Sequence, residues 1–181
     1  MRIVAGTWRG RGLTAPPGSR TRPTADRVRQ ALFDMLLHAP WGGRDAVEGA
    51  QVLDVFAGTG ALGLEALSRG AAHATFIEYD SAALAALRAN IAALGAGGRC
   101  IVHPADALAA PPGRPCDLIF LDPPYGHDLV RRALGRLRDG GWIAPAALII
   151  AETGRDEPPP APHLLAERAH GAARISVWRD G

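Results

Sequence analysis

Four consecutive residues, Asp122-Pro123-Pro124-Tyr125, have types suited to holding a flat ring that bears an amine. The two prolines fix φ, stiffen the turn and keep their carbonyls out of any strand ladder. The Asp122 carboxylate and the Pro123 carbonyl then form a pair of acceptors for both hydrogens of an exocyclic amine, while Tyr125 offers a face for base stacking. Such an amine is a poor nucleophile because its lone pair is delocalised into the ring. Fixing it in line with an electrophilic methyl group lowers the barrier by orientation and by stabilising the developing cation. With 12 Asp, 15 Pro and 2 Tyr in 181 residues, chance would place this tetrapeptide in roughly one chain in a thousand of this composition.

A second set of residues surrounds Gly58-Thr59-Gly60-Ala61-Leu62-Gly63. Glycines there let backbone approach a ligand, and the helix they open offers unpaired N–H groups. The spacing also satisfies the dinucleotide fingerprint, with Glu78 standing 20 residues after Gly58, where an acid binds ribose hydroxyls. Two ligands fit: a nicotinamide or flavin dinucleotide, or another adenosine cofactor on the same fold. Asp54, within the preceding strand, begins to separate them. A carboxylate at the carboxyl end of a parallel strand faces the ligand crevice, where it repels a pyrophosphate and favours a cation. S-adenosylmethionine carries an ammonium and a sulfonium and no phosphate. The plainer alternative is a structural Asp54 satisfied by backbone amides.

The elements that must position these residues follow from periodicity. Short apolar runs at Val52–Phe56, Ala74–Ile77, Ile101–Val102, Leu118–Leu121 and Ala147–Ala151 read as strands. They alternate with helical stretches at Ala61–Ser68, Ser81–Leu94 and Asp128–Leu137. This alternation predicts a doubly wound α/β fold, a mostly parallel Rossmann-like sheet with helices on both faces. Two further strands, Leu164–Ala169 and Ala173–Trp178, turn at His170-Gly171 and are too close to be parallel. The glycine- and proline-rich first 23 residues read as a β-hairpin and loop. A helix then starts at Thr24 as N-cap, with Val28, Ala31, Leu32, Met35 and Leu36 on its apolar stripe and Arg27 and Arg29 exposed off it.

Composition bounds the partners. All 20 cations are arginine, and the net charge of +2 hides an asymmetry. Residues 1–29 hold seven Arg (Arg2, Arg9, Arg11, Arg20, Arg22, Arg27, Arg29) against Asp26 alone, a balance of +6, and the remainder balances at −4. A basic arm before an acidic body is the pattern expected of a protein that meets a polyanion, although arginines can also simply solvate an extended terminus. No apolar run is long enough for a membrane helix, and no signal-peptide h-region follows Met1-Arg2, so a cytoplasmic protein is expected. Cys100 and Cys116 are expected on separated strands, unbridged. The six scattered histidines show no metal-ligand spacing, and no metal is expected. Trp8 and Trp41 are read as pinning the arm to the body rather than stacking on RNA.

The tetrapeptide matches the (Asn/Asp)-Pro-Pro-(Tyr/Phe) motif of class I S-adenosylmethionine-dependent methyltransferases. More narrowly, Met1-Arg2-Ile3-Val4-Ala5-Gly6, Arg9-Gly10-Arg11 and the run from Arg22-Pro23-Thr24-Ala25-Asp26-Arg27 to Phe33 resemble the bacterial RsmD family. The resemblance weakens toward Ala172–Trp178. It implies methyl transfer from S-adenosylmethionine to the 2-amino group of a guanine in small-subunit ribosomal RNA, flipped out of its stack. It further implies that Asp54, Phe56, Gly58, Thr59 and Gly60 line the methionine end of the cofactor. Glu78, with Tyr79 beside it, would take the ribose hydroxyls, and Asp106, with Ala107, the adenine amine. Asp122 to Tyr125 would hold the guanine, Asp122 also touching the cofactor. Tyr79 and Asp80 stand where a basic residue is common, and of the C-terminal basic positions Arg168 remains.

The resulting expectation is residues 1–40 as an RNA-binding hairpin, loop and helix extension and residues 41–181 as the catalytic domain. The seven arm arginines would grip phosphates of ribosomal RNA or an assembling 30S subunit, the protein acting as a monomer away from membranes. An adenine-N6 DNA methyltransferase and a non-catalytic RNA-binding assembly factor are the alternatives.

Overall fold

In a computed structural model, which describes residues 1–16 and 23–181, seven strands form one sheet in the order β3-β2-β1-β4-β5-β7-β6. The strands are β1 (Gln51–Val55), β2 (His73–Glu78), β3 (Cys100–Pro104), β4 (Cys116–Leu121), β5 (Ile143–Gly154), β6 (Ala166–His170) and β7 (Ala173–Arg179). The helices are α1 (Pro23–His38), α2 (Ala61–Ser68), α3 (Ser81–Ala93) and α4 (Leu129–Asp139). β1 to β5 run parallel, β7 is antiparallel to β5, and β6 is antiparallel to β7. The predicted mixed, doubly wound sheet is therefore the observed one.

Residues alternate between two apolar layers, as the two-residue period of a strand requires. Val52, Leu118, Phe120, Leu148 and Ile150 pack into one layer, and Leu53, Val55, Ile119, Leu121 and Ile149 into the other. The second layer is closed by α4 through Val130, Ala133, Leu134 and Leu137. The first is closed by α2 and α3 and also by the N-terminal segment, through Ile3, Leu13, Leu32, Phe33 and Leu36. No helix connects β5 to β6 or β6 to β7, and it is α1 that covers first-layer apolar surface such as Phe120 of β4, a parallel strand that must be buried on both faces. The rings of Phe33 and Phe120 meet at a centroid distance of 5.7 Å. Arg2 bridges Gly12 in an antiparallel pair, the expected hairpin in its shortest form.

Several local expectations are corrected. β1 ends at Val55 because Phe56 turns into the left-handed region at φ 61°. β5 extends on both sides of Ala147–Ala151, its first half carrying Pro145, a residue that argues against a regular ladder. Ala31 is exposed, whereas Phe33, absent from the predicted stripe, is wholly buried. Arg29, expected in solvent, is only 5% exposed. α1 begins at Pro23, so Thr24, expected as its N-cap, stands within the helix, and its side chain lies outside the described residues. Cys100 and Cys116 are free, on strands separated by β2 and β1. Among the described residues no helix is long and apolar enough to cross a membrane.

Candidate active site

The chain winds from β1 outward to β3 and then returns to place β4 on the other side of β1. That reversal opens a crevice between the carboxyl ends of β1 and β4, where α/β sheets take ligands. Val55 pairs with Leu121 in register, so Asp54 and Asp122 come to the same crevice from positions 68 residues apart.

Asp54 is 2% exposed, and its Oδ2 accepts the Gly63 N–H at 2.9 Å. Burial pushes its carboxyl up to about 8, with the charges of Asp122 and Glu78 adding to the rise and the Gly63 N–H opposing it. One oxygen of Asp54 is tied to backbone, as the structural alternative expects, and the residue also lines the cavity.

Beyond Phe56 the chain turns through Gly58 (φ 55°) and Gly60 (φ 78°), conformations that glycine adopts without strain. Gly60 is the N-cap of α2, and a Cβ on it would lie 2.3 Å from Leu87 Cδ1. The space beside Gly58 is open: a Cβ there would meet nothing within 4 Å. Glu78, at the end of β2, ties this loop down. Its Oε2 accepts the Gly58 N–H, and its Oε1 accepts the N–H groups of Tyr79 and Asp80, each at 2.8 Å. A carboxylate has about four acceptor positions, which leaves Oε2 able to take one further donor.

A cavity of about 720 Å³ occupies the crevice. Asp54, Phe56, Gly58 and Thr59 form one wall and Asp122 and Tyr125 another. The Tyr125 hydroxyl donates to Glu152 Oε1 at 2.6 Å. Asp122 is open to the cavity, yet the surrounding walls displace enough water to push its carboxyl up to about 7, with the nearby Glu152 charge second. Partial dehydration and the Glu152 hydrogen bond push the Tyr125 phenol upward as well.

Other expected site residues stand apart from this cavity. Gly60, Glu78 and Pro123 are buried and do not line it, Pro124 faces solvent, and Tyr79 is 68% exposed. Asp106 is exposed and accepts the Leu108 N–H at 2.9 Å, while Ala107 packs into the second apolar layer. Glu152 and the β6–β7 turn at His170-Gly171 also line the cavity, as do Met1, Val28 and Leu32 of the N-terminal segment, and none of these is among the expected site residues. The signal for Glu152 was present: like Asp54, it is a carboxylate at the carboxyl end of an apolar parallel strand.

Of the arm arginines, Arg2, Arg9, Arg11 and Arg27 are exposed. Arg11 reaches the carbonyl of Ala93 at the end of α3, at 2.6 Å. Arg20 and Arg22 lie outside the described residues. Arg29 points inward, to Asp26 at 2.9 Å, to Glu65 at 3.3 Å and to the Arg2 carbonyl, so its charge is neutralised within the fold. Trp8 packs against the first layer with the Arg99 guanidinium 5.0 Å from its ring centre, and Trp41 packs there too.

Residues 1–179 match the family model described as Conserved hypothetical protein 95. The chain is 46% identical to Ribosomal RNA small subunit methyltransferase D of Escherichia coli strain K12, over 84% of this chain and 74% of that protein. A solved structure from Escherichia coli superposes with a TM-score of 0.84 at 40% identity, covering 99% of this chain and 97% of the other. An RNA methyltransferase from Salinibacter ruber, solved with S-adenosyl-L-homocysteine, shares the fold at a TM-score of 0.64 and 14% identity, covering 89% of this chain and 93% of that one.

Proposed function

Because the chain belongs to the RsmD family of methyltransferases, we propose that it transfers a methyl group from S-adenosylmethionine to the exocyclic 2-amino group of a guanine in small-subunit ribosomal RNA. The observation that carries this reading is the convergence of Asp54, the glycine loop and the Asp122–Tyr125 turn on one crevice. The donor set fits the cofactor. A buried acid suits a positively charged ligand without phosphate, the space beside Gly58 admits a close approach, and Glu78 keeps one acceptor position for a hydroxyl.

When bound, S-adenosylmethionine supplies an electrophilic methyl group on a sulfonium. Asp54 balances positive charge, and Glu78 holds the Gly58 loop while accepting a hydroxyl. Asp122 and the Pro123 carbonyl accept the two hydrogens of the flipped base's amine, with Tyr125 against the ring. As the amine nitrogen gains its methyl it must lose a proton, and the Asp122 carboxylate is the acceptor beside it. Tyr79, Asp106 and Ala107 would border the adenine. Arg2, Arg9, Arg11 and Arg27 would meet RNA phosphates, with residues 1–40 as the RNA-binding extension of a cytoplasmic monomer.

The test is methyl transfer from labelled S-adenosylmethionine to small ribosomal subunits, naked ribosomal RNA and duplex DNA, with the products read by nucleoside mass spectrometry. N2-methylguanosine in small-subunit RNA is expected. N6-methyladenine in DNA, or no transfer to any nucleic acid, overturns the reading.

A further inference from the structure

Glu152 belongs to neither the tetrapeptide nor the glycine loop, yet it lines the cavity that both share. It stands in β5, the strand paired with β4, so the sheet itself sets it beside the Asp122 turn. Its Oε1 accepts the Tyr125 hydroxyl at 2.6 Å, and Oε2 has no hydrogen-bond partner among the described residues. One anchored oxygen fixes the orientation of the carboxylate, so presenting the other to a ligand costs little further ordering. The Arg29 guanidinium on the same cavity is already committed to Asp26, Glu65 and the Arg2 carbonyl.

Two carboxylates on one wall select a particular kind of base edge. Ionised Asp and Glu accept hydrogen bonds and donate none. The edge of guanine that carries the 2-amino group presents N1–H beside it, two adjacent donors. Adenine presents a lone pair at N1 beside its 6-amino group, and an ionised carboxylate would face that lone pair with like charge. A site built to accept a hydrogen rejects the analogue that lacks it, because an acceptor that the bound base shields from water is left unpaired.

Resting on the function proposed above, we propose that Glu152 is a specificity-determining residue for guanine. Its Oε2 accepts N1–H while Asp122 accepts the adjacent amine, and the Tyr125 hydroxyl holds Oε1. The tetrapeptide thus recognises an amine, and Glu152 recognises which base bears it.

The experiment maps the guanine that the wild-type protein methylates, then compares that RNA with one carrying 2-aminopurine at the same position. 2-Aminopurine keeps the amine but presents a lone pair at N1. The wild type is expected to prefer guanine by about tenfold or more in kcat/KM. Glu152→Gln can turn its amide NH2 toward that lone pair, and it should reduce the preference by about tenfold. Glu152→Ala, with neither donor nor acceptor, should bring the preference toward unity. Competition binding of the two RNAs reads the same discrimination for a variant too slow to assay. A wild type without preference, or variants that keep the wild-type preference, overturns the assignment of Glu152. Absence of N2-methylguanosine from every wild-type reaction instead overturns the proposed function, and this inference with it.

Discussion

Arg29 of α1 and Glu65 of α2 form an ion pair inside the protein, Nε to Oε2 at 3.3 Å, with the glutamate wholly buried. Glu65 also takes Arg69 at 2.8 Å and the N–H groups of Val4 and Ala5 at 2.8 and 2.9 Å. One carboxylate therefore ties the N-terminal hairpin and α1 to the helix that opens at the glycine loop. Removing one partner from a buried pair leaves an uncompensated charge, so Glu65→Ala should cost about 3–5 kcal/mol. Denaturant unfolding measures this. Arg44→Ala, which breaks the exposed Arg44–Glu48 pair, should cost about 0.5 kcal/mol or less.

Binding of S-adenosylmethionine should release a proton from Asp54. In the free protein its carboxyl, at about 8, is mostly protonated at neutral pH, and a cation beside it favours the ionised form. Affinity should therefore rise with pH below about 8, by at most about tenfold per unit for one proton. Calorimetry in buffers of different ionisation heat counts the proton, and Asp54→Asn should abolish the release. Asp122→Asn serves as the control for the neighbouring acid. Heats independent of buffer in the wild type would refute the coupling.

The same shift acts on folding with the opposite sign. The folded protein holds a proton on Asp54 that the unfolded chain releases near 3.8, so this residue lowers stability as pH rises from about 4 to about 8. Asp54→Asn, which cannot ionise, should flatten that part of the stability profile. An unchanged slope in unfolding measurements would contradict it.

Asp122→Ala should abolish methyl transfer while leaving S-adenosylmethionine binding largely intact. In the wild type the rate should rise with pH through about 7, as Asp122 ionises and becomes an acceptor. Full activity in the variant would remove Asp122 from the reaction.

The arginines should divide into two classes. Arg27→Ala, at an exposed position, should reduce the log–log salt dependence of RNA binding by about 0.7 to 0.9 if one phosphate contact is lost. Arg29→Ala should lower the melting temperature instead, since its partners are Asp26 and Glu65. Binding titrations across salt, paired with thermal melts, separate the two.

Much of this was legible along the chain, because the deciding signals are local. Two-residue and 3.6-residue apolar periods mark strands and helices whatever lies beyond them. The glycine turn and the Asp122–Tyr125 motif also declare their geometry within a few residues, and their placement at strand ends followed from the α/β alternation. Strand order, by contrast, depends on which side each crossover takes. Only the folded sheet put Asp122 beside Asp54 and brought Glu152 to both. Charge was the least legible feature. A helical wheel shows that Arg29 lies off the apolar stripe, but not that Glu65, 36 residues later, waits beneath it. Burial of an ion depends on a partner distant in sequence. For that reason the basic character of the arm was readable from the sequence alone, and which of its arginines remain free for a polyanion was decided by tertiary structure.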